Sequence, residues 1–387
     1  MDEKYYEELV KIRRDIHQNP EPGMQEYQTA EYIKNYLKKL DIEIIGDGLG
    51  ETGIVALIRG EKQSDRTVAF RADMDALPIE EETGLEFAST NKGMMHACGH
   101  DGHIAMLLIT ARILQEKKKN IKGNVVLIFQ PGEEFSFGAR KMIEDGLFEL
   151  LDKFQLKVEA ILALHLWMDF PSGEVRIKPG NMMAASDKIL ISIEGERTHG
   201  AMPHQGIDGI VAAGEVILAL QTIMSREIDP AETAVLSLGK IEGGDSYNII
   251  ADKVELTGTL RTLKKDVRRQ IIERIKQKTQ SVVKSYRGKV NIEIQKMYPL
   301  TINNEEIVDV INKLSEVKVK RLEKPCLASE DFSYFLNRIP GAMAFIGARN
   351  DKKGLNRPLH HAEFNFDESA LREGVKVLTG FAFSYLN

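Results

Sequence analysis

Apolar and polar residues follow two different periods along the first half of the chain. Some stretches repeat their apolar residues at helical spacing, which is typical of helices with one buried face, and others are short continuous apolar runs, typical of strands buried in a mostly parallel sheet. Helices are predicted over residues 3–17, 26–40, 104–117 and 138–146, and strands over 53–59, 66–72, 125–129 and 160–164. This order predicts an α/β fold, in which helices flank a mostly parallel sheet.

A different order of elements begins near Ala184. A strand, a helix, two strands, a helix and a strand are predicted over 187–194, 209–227, 233–241, 253–261, 264–286 and 289–296. The β-α-β-β-α-β order is typical of a ferredoxin-like α+β unit. After Pro299 the first pattern returns, with helices predicted over 304–316, 329–337 and 367–385 and strands over 317–322 and 342–347. We therefore predict a discontinuous larger domain, residues 1–184 and 298–387, interrupted by an inserted domain, residues 185–297.

Composition narrows the class of protein. A chain of 387 residues exceeds what one core usually supports, in agreement with two domains. The formal net charge is -6 and there is no basic stripe, so nucleic acid is not an expected partner. No apolar run approaches the roughly 18 residues that span a bilayer, and the first residues lack the apolar core of a signal peptide. The two cysteines, Cys98 and Cys326, are too few and too far apart for a disulfide framework. We expect a cytoplasmic protein without a membrane partner.

The densest group of chemically reactive residues lies between Met94 and His103, where three histidines and one cysteine stand within ten residues. Cys98 and His100 are two positions apart, so in an extended segment both side chains leave from one face. A thiolate and an imidazole on one face are a ligand pair for zinc or a similar metal. On its own, so short a pattern fits a reduced cysteine beside ordinary histidines better than a metal site.

Cys98 with His100 and further candidate ligands follow predicted strands or lead into predicted helices. They form four groups: Asp73 with Asp75, Cys98 with His100, Glu133 with Glu134, and His165. Ligands of open α/β sheets bind outside the carboxyl ends of the strands, so the joint placement of these groups favours one shared site. A fifth group is the pair His360-His361, of which at most one is expected to be a ligand, because adjacent side chains in an extended chain point in different directions.

Cys98, His100, Glu134, His165 and one of the two adjacent histidines would be five ligands, more than one four-coordinate metal holds. Two metals that share a bridging ligand or water would use them all, and paired metals suit hydrolysis because they polarise a carbonyl and activate water. Glu133 is then left as general base, and Asp75 as a residue that orients a ligand imidazole. The alternative, a closed structural zinc site, needs neither Glu133 nor a fifth ligand.

Several longer motifs now carry a family resemblance. They are residues 71–78 (RADMDALP), 96–103 (HACGHDGH), 130–134 (QPGEE), 165–167 (HLW), 199–204 (HGAMPH), 258–261 (GTLR), 329–332 (SEDF) and 359–360 (LH). In this combination the chain resembles the amidohydrolase branch of the aminoacylase/carboxypeptidase metallohydrolases. Hippurate hydrolase, indole-acetyl-amino-acid hydrolase and N-acetyldiaminopimelate deacetylase belong to that branch.

The resemblance implies a dinuclear metal site with Glu133 as acid and base. Its metal ligands would be Cys98, His100, Glu134, His165 and the first histidine of the pair, His360. The resemblance also implies that His199 stabilises the tetrahedral oxyanion, in several relatives from the partner subunit, and that Asn248 and Arg261 contact the substrate. A guanidinium matches a carboxylate bidentately, so Arg261 is expected to pair with the amino-acid carboxylate. The alternative for Arg261 is a surface charge on a strand.

The chain departs from the family pattern at one position and in one short stretch. Gly132 stands where the family usually has alanine, and we expect it only to loosen the turn. Phe135 and Phe137 stand where relatives carry a glycine-rich stretch, and we expect two aromatic side chains beside the metal site to reshape the acyl pocket.

The function predicted from sequence is a metal-dependent amidohydrolase that cleaves a small N-acyl amino acid into a carboxylate and a free amino acid. The alternatives are a dipeptidase or carboxypeptidase that uses the same dinuclear site and, more remotely, a non-catalytic metal-binding scaffold. Two divalent ions per subunit are expected, zinc or manganese first, with cobalt or nickel also admitted by the ligand types. The apolar helix at 210–218 and the sheet edges of the inserted domain predict a lid and a contact between subunits of a homodimer or higher homo-oligomer.

Overall fold

The computed structural model describes residues 1–387. The helices are α1 Glu3–His17, α2 Tyr27–Lys39, α3 His100–Glu116, α4 Gly138–Glu144, α5 Leu147–Lys153, α6 Gly209–Thr222, α7 Lys265–Ser285, α8 Glu305–Asn312, α9 Ser333–Leu336 and α10 Leu371–Leu386. The strands are β1 Glu43–Leu49, β2 Gly53–Arg59, β3 Lys62–Asp73, β4 Lys122–Gln130, β5 Val158–Pro171, β6 Val175–Ile177, β7 Gly180–Met183, β8 Ala185–Glu194, β9 Thr198–His199, β10 Ala234–Gly243, β11 Ile249–Ile250, β12 Lys253–Thr262, β13 Lys289–Lys296, β14 Thr301–Asn303, β15 Val319–Arg321 and β16 Gly341–Arg349.

The chain forms two compact units. The first comprises Met1–Met182, Ile302–Lys324 and Asp331–Asn387, and the second comprises Met183–Thr301 and Pro325–Glu330. The short segment 325–330 differs from the predicted boundaries, which put it in the larger domain. It joins the second unit because the Ala184 amide donates to the carbonyl groups of Cys326 and Ala328, at 3.1 and 3.0 Å.

An eight-stranded sheet forms the middle of the first unit, in the order β1-β2-β4-β3-β5-β16-β6-β15. Its central strands β4, β3, β5 and β16 run parallel, as the apolar runs predicted. Toward one edge, β2 is antiparallel to β4 and β1 is antiparallel to β2. Toward the other edge, β6 is antiparallel to β16, and β15 is parallel to β6. The sheet is therefore parallel in its middle and mixed toward its edges.

Two helices on this sheet show why the amino-terminal residues fold as they do. α1 has the predicted bounds and buries Leu9, Ile12 and Ile16, each of which contributes about 1.5–3 kcal/mol. α3 is apolar almost all round, and its residues from His100 to Ala111 are all buried. Because α3 packs between α1, α10 and the sheet, it holds a fixed position from which its first turn presents side chains.

The start of α3 differs from the sequence-based expectation. The predicted start at Ile104 would make Asp101 a candidate side-chain cap of this helix. The helix instead begins at His100, and the residue at the cap position is Gly99, whose φ of +85° lies in the left-handed region that glycine adopts without strain. The Asp101 carboxylate is buried instead and accepts from Arg13 Nε and His17 Nδ1, each at 2.8 Å. The prediction was wrong because these two residues, more than 80 positions away, claim the side chain.

β5 is longer than the five-residue apolar run that predicted it. Its pairing sets Ala163 beside Arg71 of β3 and His165 beside Phe345 of β16. His165 therefore lies inside a strand, at the level where β3 ends in Asp73, and not after the strand as expected. The register between neighbouring strands, more than the point where each strand ends, determines which candidate ligands lie close together.

The second unit has the predicted β-α-β-β-α-β order. Its antiparallel sheet runs β10-β12-β8-β13, with α6 and α7 packed on it through Val216, Leu220, Ile271 and Ile275. The segment Gly209–Glu227, α6 with the π-helical turn that follows, is long and apolar enough to cross a membrane by length and composition alone, contrary to the expectation from sequence. In the structure, the side of α6 that faces the sheet forms part of the hydrophobic core of this unit.

The elements between Pro299 and residue 337 are shorter than predicted. α8 ends at Asn312 and α9 covers only Ser333–Leu336. The predicted helix over 329–337 fails because its first residues belong to the second unit. The residues here are largely polar and show no clear period, so their sequence does not distinguish a helix from a connecting segment.

Candidate metal centre

Four segments of the first unit bring metal-ligand side chains together. The donor atoms of Cys98, His100 and His165 lie within 4.8 Å of one another, and the same holds for Cys98, Glu134 and His360. His100, Glu133 and Glu134 form a third such group. All five predicted ligands and the predicted base therefore lie in one cluster, which we call the metal-ligand cluster.

Cys98 lies at the middle of this cluster. Its Sγ is 3.6 Å from His165 Nε2 and 3.4 Å from His360 Nε2. Glu134 Oε1 is 3.2 Å from His360 Nε2 and 3.9 Å from His100 Nε2. One thiol thus belongs to two overlapping ligand groups, which is the arrangement that two neighbouring ions sharing a ligand require.

Hydrogen bonds outside the cluster orient the two buried imidazoles. His165 Nδ1 donates to the Leu166 carbonyl at 2.7 Å, and His100 Nδ1 donates to the Asp75 carbonyl at 2.9 Å. Burial and the neighbouring His103 lower the pKa of His165 well below its ordinary value, so its imidazole is neutral. Both rings therefore direct Nε2 into the cluster, as metal-binding histidines do.

The ring nitrogen that His100 directs into the cluster has no hydrogen-bond partner in the protein. This atom, Nε2, is buried. Buried polar atoms almost always have partners, so such an atom marks a position completed by something outside the chain. Together with sulfur, nitrogen and carboxylate oxygen donors in one cluster, it fits a bound transition-metal ion.

The electrostatics also favour a cation. Burial raises the pKa of the Cys98 thiol well above its ordinary value, and the carboxylates of Glu134 and Glu133 raise it further. Burial opposes a charge on His100, yet Asp73 and Asp75 raise its pKa to about 10. The carboxylates thus hold positive charge at this point, and a divalent ion would supply it and stabilise a thiolate at Cys98.

Asp75 contacts two of the predicted ligands. In addition to the carbonyl bond to His100, its Oδ1 lies 3.3 Å from His100 Nδ1, and its Oδ2 accepts the Glu134 amide at 3.0 Å. The hydrogen bond from His100 lowers the pKa of Asp75 although burial opposes this. The structure places this residue where the predicted orienting role needs it.

Glu133 is buried beside the cluster. Its Oε1 accepts the Asp331 amide at 3.4 Å. It lies near His100 and Glu134 without being needed to hold either group of ligands around Cys98. This position suits the predicted base, which has to reach the reacting water without being occupied by a metal.

The adjacent histidines behave differently. His360 has a φ of +66°, its amide donates to the Ala97 carbonyl at 2.8 Å, and its half-exposed ring faces Cys98 and Glu134. His361 turns away, and its Nδ1 accepts the Glu363 amide at 3.0 Å. The structure therefore brings only the first histidine of the pair into the cluster.

A buried hydrogen-bond network around Arg71, a residue to which the sequence assigned no role, lies beside the cluster. Asp73, one of the candidate ligands, belongs to this network. Arg71 donates to Asp73 and Gln130 at 2.7 Å each and to Asp331 at 3.0 Å. Asp73 also accepts from His103 Nδ1 at 2.6 Å, while His103 Nε2 accepts the Leu166 amide at 2.9 Å. Both nitrogens of His103 are thus used. The signal was an arginine within a buried strand, because such a charge requires partners.

The remaining predicted residues belong to the second unit. His199 and Asn248 are neighbours where β9 pairs with β11, and the Gly200 amide donates to the Asn248 carbonyl at 2.7 Å. Both are exposed. His199 Nδ1 accepts the Ala201 amide at 3.0 Å, which leaves Nε2 for a ligand.

Arg261 of β12 is half-buried, and burial lowers its pKa. Its Nη1 donates to the Ser329 hydroxyl, and it forms no ion pair. A half-buried guanidinium without a carboxylate partner is what the predicted pairing with a substrate carboxylate requires. That role, like those of His199 and Asn248, remains a prediction.

Comparisons with known proteins agree with this cluster. Residues 69–384 match the model of peptidase family M20/M25/M40. An N-acetyl-L-cysteine deacetylase of Bacillus subtilis (strain 168) is 41% identical over 94% of this chain and 85% of its own length. Thermostable carboxypeptidase 2 of Saccharolobus solfataricus is 39% identical over 98% of this chain and 95% of its own.

Among solved structures, the Bacillus subtilis YXEP protein, described as a dinuclear metal-binding peptidase of the M20 family, superposes with a TM-score of 0.85. It is 32% identical, over 100% of this chain and 99% of its own. The matched residues include every segment of the metal-ligand cluster. This chain belongs to peptidase family M20/M25/M40.

Proposed function

We propose that the protein is a metal-dependent amidohydrolase that removes the acyl group from an N-acyl amino acid. One observation carries the proposal: a cluster of five ligand side chains has an additional buried carboxylate, Glu133, beside it. A site that only stores or structurally uses metal has no need of that carboxylate. The N-acetyl-L-cysteine deacetylase relative supports an N-acyl amino acid as the substrate class.

The ligand groups support two ions per subunit. Cys98, His100 and His165 would hold one, and Cys98, Glu134 and His360 the other. When bound, divalent ions supply Lewis acidity to the scissile carbonyl and acidify water. Zinc or manganese is proposed first, and cobalt or nickel would also suit these donors.

The protein's own residues would move the protons and hold the substrate. The Glu133 carboxylate takes a proton from the attacking water as the new carbon–oxygen bond forms. It then delivers that proton to the leaving amide nitrogen as the carbon–nitrogen bond breaks. His199 would donate from Nε2 to the oxyanion, and Asn248 and Arg261 would hold the amino-acid part, Arg261 through its carboxylate.

The alternative proposal is a dipeptidase or carboxypeptidase. The relative from Saccharolobus solfataricus, a carboxypeptidase, supports this alternative. Metal-reconstituted enzyme should be assayed on N-acetyl and N-benzoyl amino acids and, in parallel, on dipeptides with a free amino group. We expect hydrolysis of the acylated series. Turnover confined to dipeptides would replace this proposal with the rival one, and inactivity on both series with each metal bound would revive a non-catalytic scaffold.

We also propose that the second unit forms a subunit contact and acts as a lid. α6 exposes Ile210, Val211 and Leu218, the last with 71% of its surface accessible. An exposed apolar helix face of this kind is typical of an interface. Leu218→Glu should convert a dimer to monomers in sedimentation velocity, whereas a monomeric unaltered chain would refute the contact.

Because Cys98 has to remain reduced to bind metal, we place the protein in the reducing cytoplasm.

A further inference from the structure

The segment that joins α1 to α2 packs directly on the loop that carries Glu133 and Glu134. This loop, residues 131–137, follows β4, and we call it the acidic loop. A Cβ at Gly23 would lie 2.9 Å from Gly132 Cα, closer than Cβ atoms approach other heavy atoms. Gly132 itself has a φ of +57°, and a Cβ there would lie 2.6 Å from Met24 Sδ. Gly132 thus permits a close backbone contact, so it does more than loosen the turn.

Glu26 stands at the end of this contact and is fully buried. Its Oε1 accepts the Gly132 amide at 2.8 Å, and its Oε2 is hydrogen-bonded to the Thr52 hydroxyl at 2.6 Å. Burying a carboxyl group is costly unless hydrogen bonds compensate. Here one of the two compensating bonds goes to the residue just before Glu133.

Three carboxyl groups accept hydrogen bonds from backbone amides of the acidic loop and from that of Ala139, the second residue of α4. The Gly132 amide donates to Glu26, the Glu134 amide to Asp75 at 3.0 Å, and the Ala139 amide to Asp331 at 2.9 Å. The amides that Glu26 and Asp75 accept from belong to Gly132 and Glu134, the two neighbours of Glu133 in the chain. The position of Glu133 and Glu134 therefore depends on both.

We propose that Glu26 is a positioning residue for the metal-ligand cluster, and that its hydrogen bond to the Gly132 amide holds the acidic loop so that Glu133 and Glu134 face the other ligands. This inference rests on the proposed function, which makes Glu134 a ligand and Glu133 the base. Glu26 touches neither metal ligands nor substrate. It acts through one backbone amide.

The surroundings of Glu26 make glutamine its best replacement. Burial and the nearby Asp75 raise the pKa of Glu26 to about 7, so its neutral form is accessible near neutral pH. The neutral acid accepts from Gly132 at one oxygen and donates to Thr52 at the other. A glutamine amide can do both with the same shape, whereas leucine can do neither.

The test compares Glu26→Gln, Glu26→Leu and Glu26→Asp with Thr52→Val as matched control. Thr52→Val removes the other partner of Glu26 and leaves the Gly132 bond in place. Zinc affinity of the full-length protein is measured by competition with a chromophoric chelator, and kcat and KM are measured on an N-acetyl amino acid. Thermal unfolding of each variant checks that it is folded.

We expect Glu26→Gln and Thr52→Val to bind zinc like the unaltered protein. Glu26→Leu should bind zinc about 10- to 100-fold more weakly, the usual effect of removing a group that orients metal ligands, and kcat should fall more than KM changes. Glu26→Asp keeps a carboxyl group but is one methylene too short to reach Gly132. It should show the same loss, and it serves if the leucine variant does not fold.

Normal zinc affinity and kcat in folded Glu26→Leu or Glu26→Asp would overturn the inference. An equal loss in Glu26→Gln and Thr52→Val would also overturn it, since general packing would then explain the effect. The zinc measurement needs no substrate. An unaltered protein that binds zinc but hydrolyses no N-acyl amino acid would refute the proposed function alone.

Discussion

The metal-ligand cluster of the first unit and the polar residues proposed for substrate in the second unit are held very differently. His100 and His165 are buried, and each has one ring nitrogen fixed by a backbone carbonyl. His199 and Asn248 are exposed, and Arg261 is tied only to the Ser329 hydroxyl. Metal ligands have to be preorganised because a metal tolerates little error in geometry, whereas substrate-binding groups can be completed by the substrate itself. Substitutions in the two regions should therefore separate metal binding from turnover.

The largest effect is expected at Glu133. Glu133→Gln keeps the size of the side chain but removes the proton acceptor, so kcat should fall by about 10²- to 10⁴-fold. Metal content, measured by inductively coupled plasma mass spectrometry, should not change. Glu144→Gln on the exposed face of α4 is the control and should be fully active. Unaltered turnover of metal-loaded Glu133→Gln would remove the base from this position.

His199→Ala should affect turnover without affecting metal. Loss of one hydrogen bond to an oxyanion lowers kcat by about 10²- to 10³-fold, and zinc affinity should stay normal because His199 belongs to the exposed β9–β11 pair. His204→Ala, a change at an exposed histidine of the same segment, should leave kcat unaltered. Mixed dimers of His199→Ala and Glu133→Gln subunits should regain activity if His199 serves the partner's site. A His199→Ala protein that has lost its metals would instead break the distinction between the two regions.

The same distinction applies to stability. Arg13 is fully buried and donates to Asp101 at 2.8 Å and to Asn365 at 3.1 Å. Arg13→Met leaves the Asp101 charge without this partner, so the free energy of unfolding should fall by about 3–5 kcal/mol in urea titrations. Arg197→Met removes exposed ion pairs with Asp245 and Asp252 in the second unit and should produce no measurable change. If Arg13→Met and Arg197→Met lowered the free energy of unfolding equally, burial of the ion pair would not determine its contribution to stability.

Arg261 should control affinity for the substrate carboxylate. Arg261→Lys keeps the charge but loses the bidentate fork, so kcat/KM for an N-acyl amino acid should fall about tenfold, mainly through KM. The corresponding N-acyl amine, which has no carboxylate, should be hydrolysed equally by both proteins. A similar loss on both substrates would assign Arg261 to the structure of β12.

Much of the fold could be predicted from sequence, and the reasons are local. The helical period over α1 and the apolar runs in β4 and β5 result from burial of one face or of both, so the elements follow the pattern. Asp101 was misassigned because its partners, Arg13 and His17, are distant in sequence. The segment 325–330 could not be assigned for the same reason, since its hydrogen bonds go to Ala184.

The candidate site divides along the same line. Ligand types and spacing indicated Cys98, His100 and His165, because metal chemistry restricts the side chains that can serve. Glu26, Arg71 and Asp331 act through hydrogen bonds to backbone or to one another, and their residue types carry no signature of that role. Only the folded arrangement shows which carboxylate anchors which amide.

Glu26 offers the smallest and most specific effect, in the metal-free protein. Burial raises its pKa to about 7 in the folded state, above the value of the unfolded chain, so the native state binds the proton more tightly. Its contribution to stability is therefore complete at low pH and is lost as the pH rises through about 7, an effect of about 1 kcal/mol between pH 6 and pH 8. Glu26→Gln has no such proton. With the metals removed by chelation, the free energy of unfolding is measured for both proteins at pH 6 and pH 8. The value for Glu26→Gln minus that for the unaltered protein should be about 1 kcal/mol larger at pH 8 than at pH 6. A difference between the two proteins that is constant with pH would mean that Asp75 and the buried surroundings do not hold the proton on Glu26, although its hydrogen bond to Gly132 could still position the acidic loop.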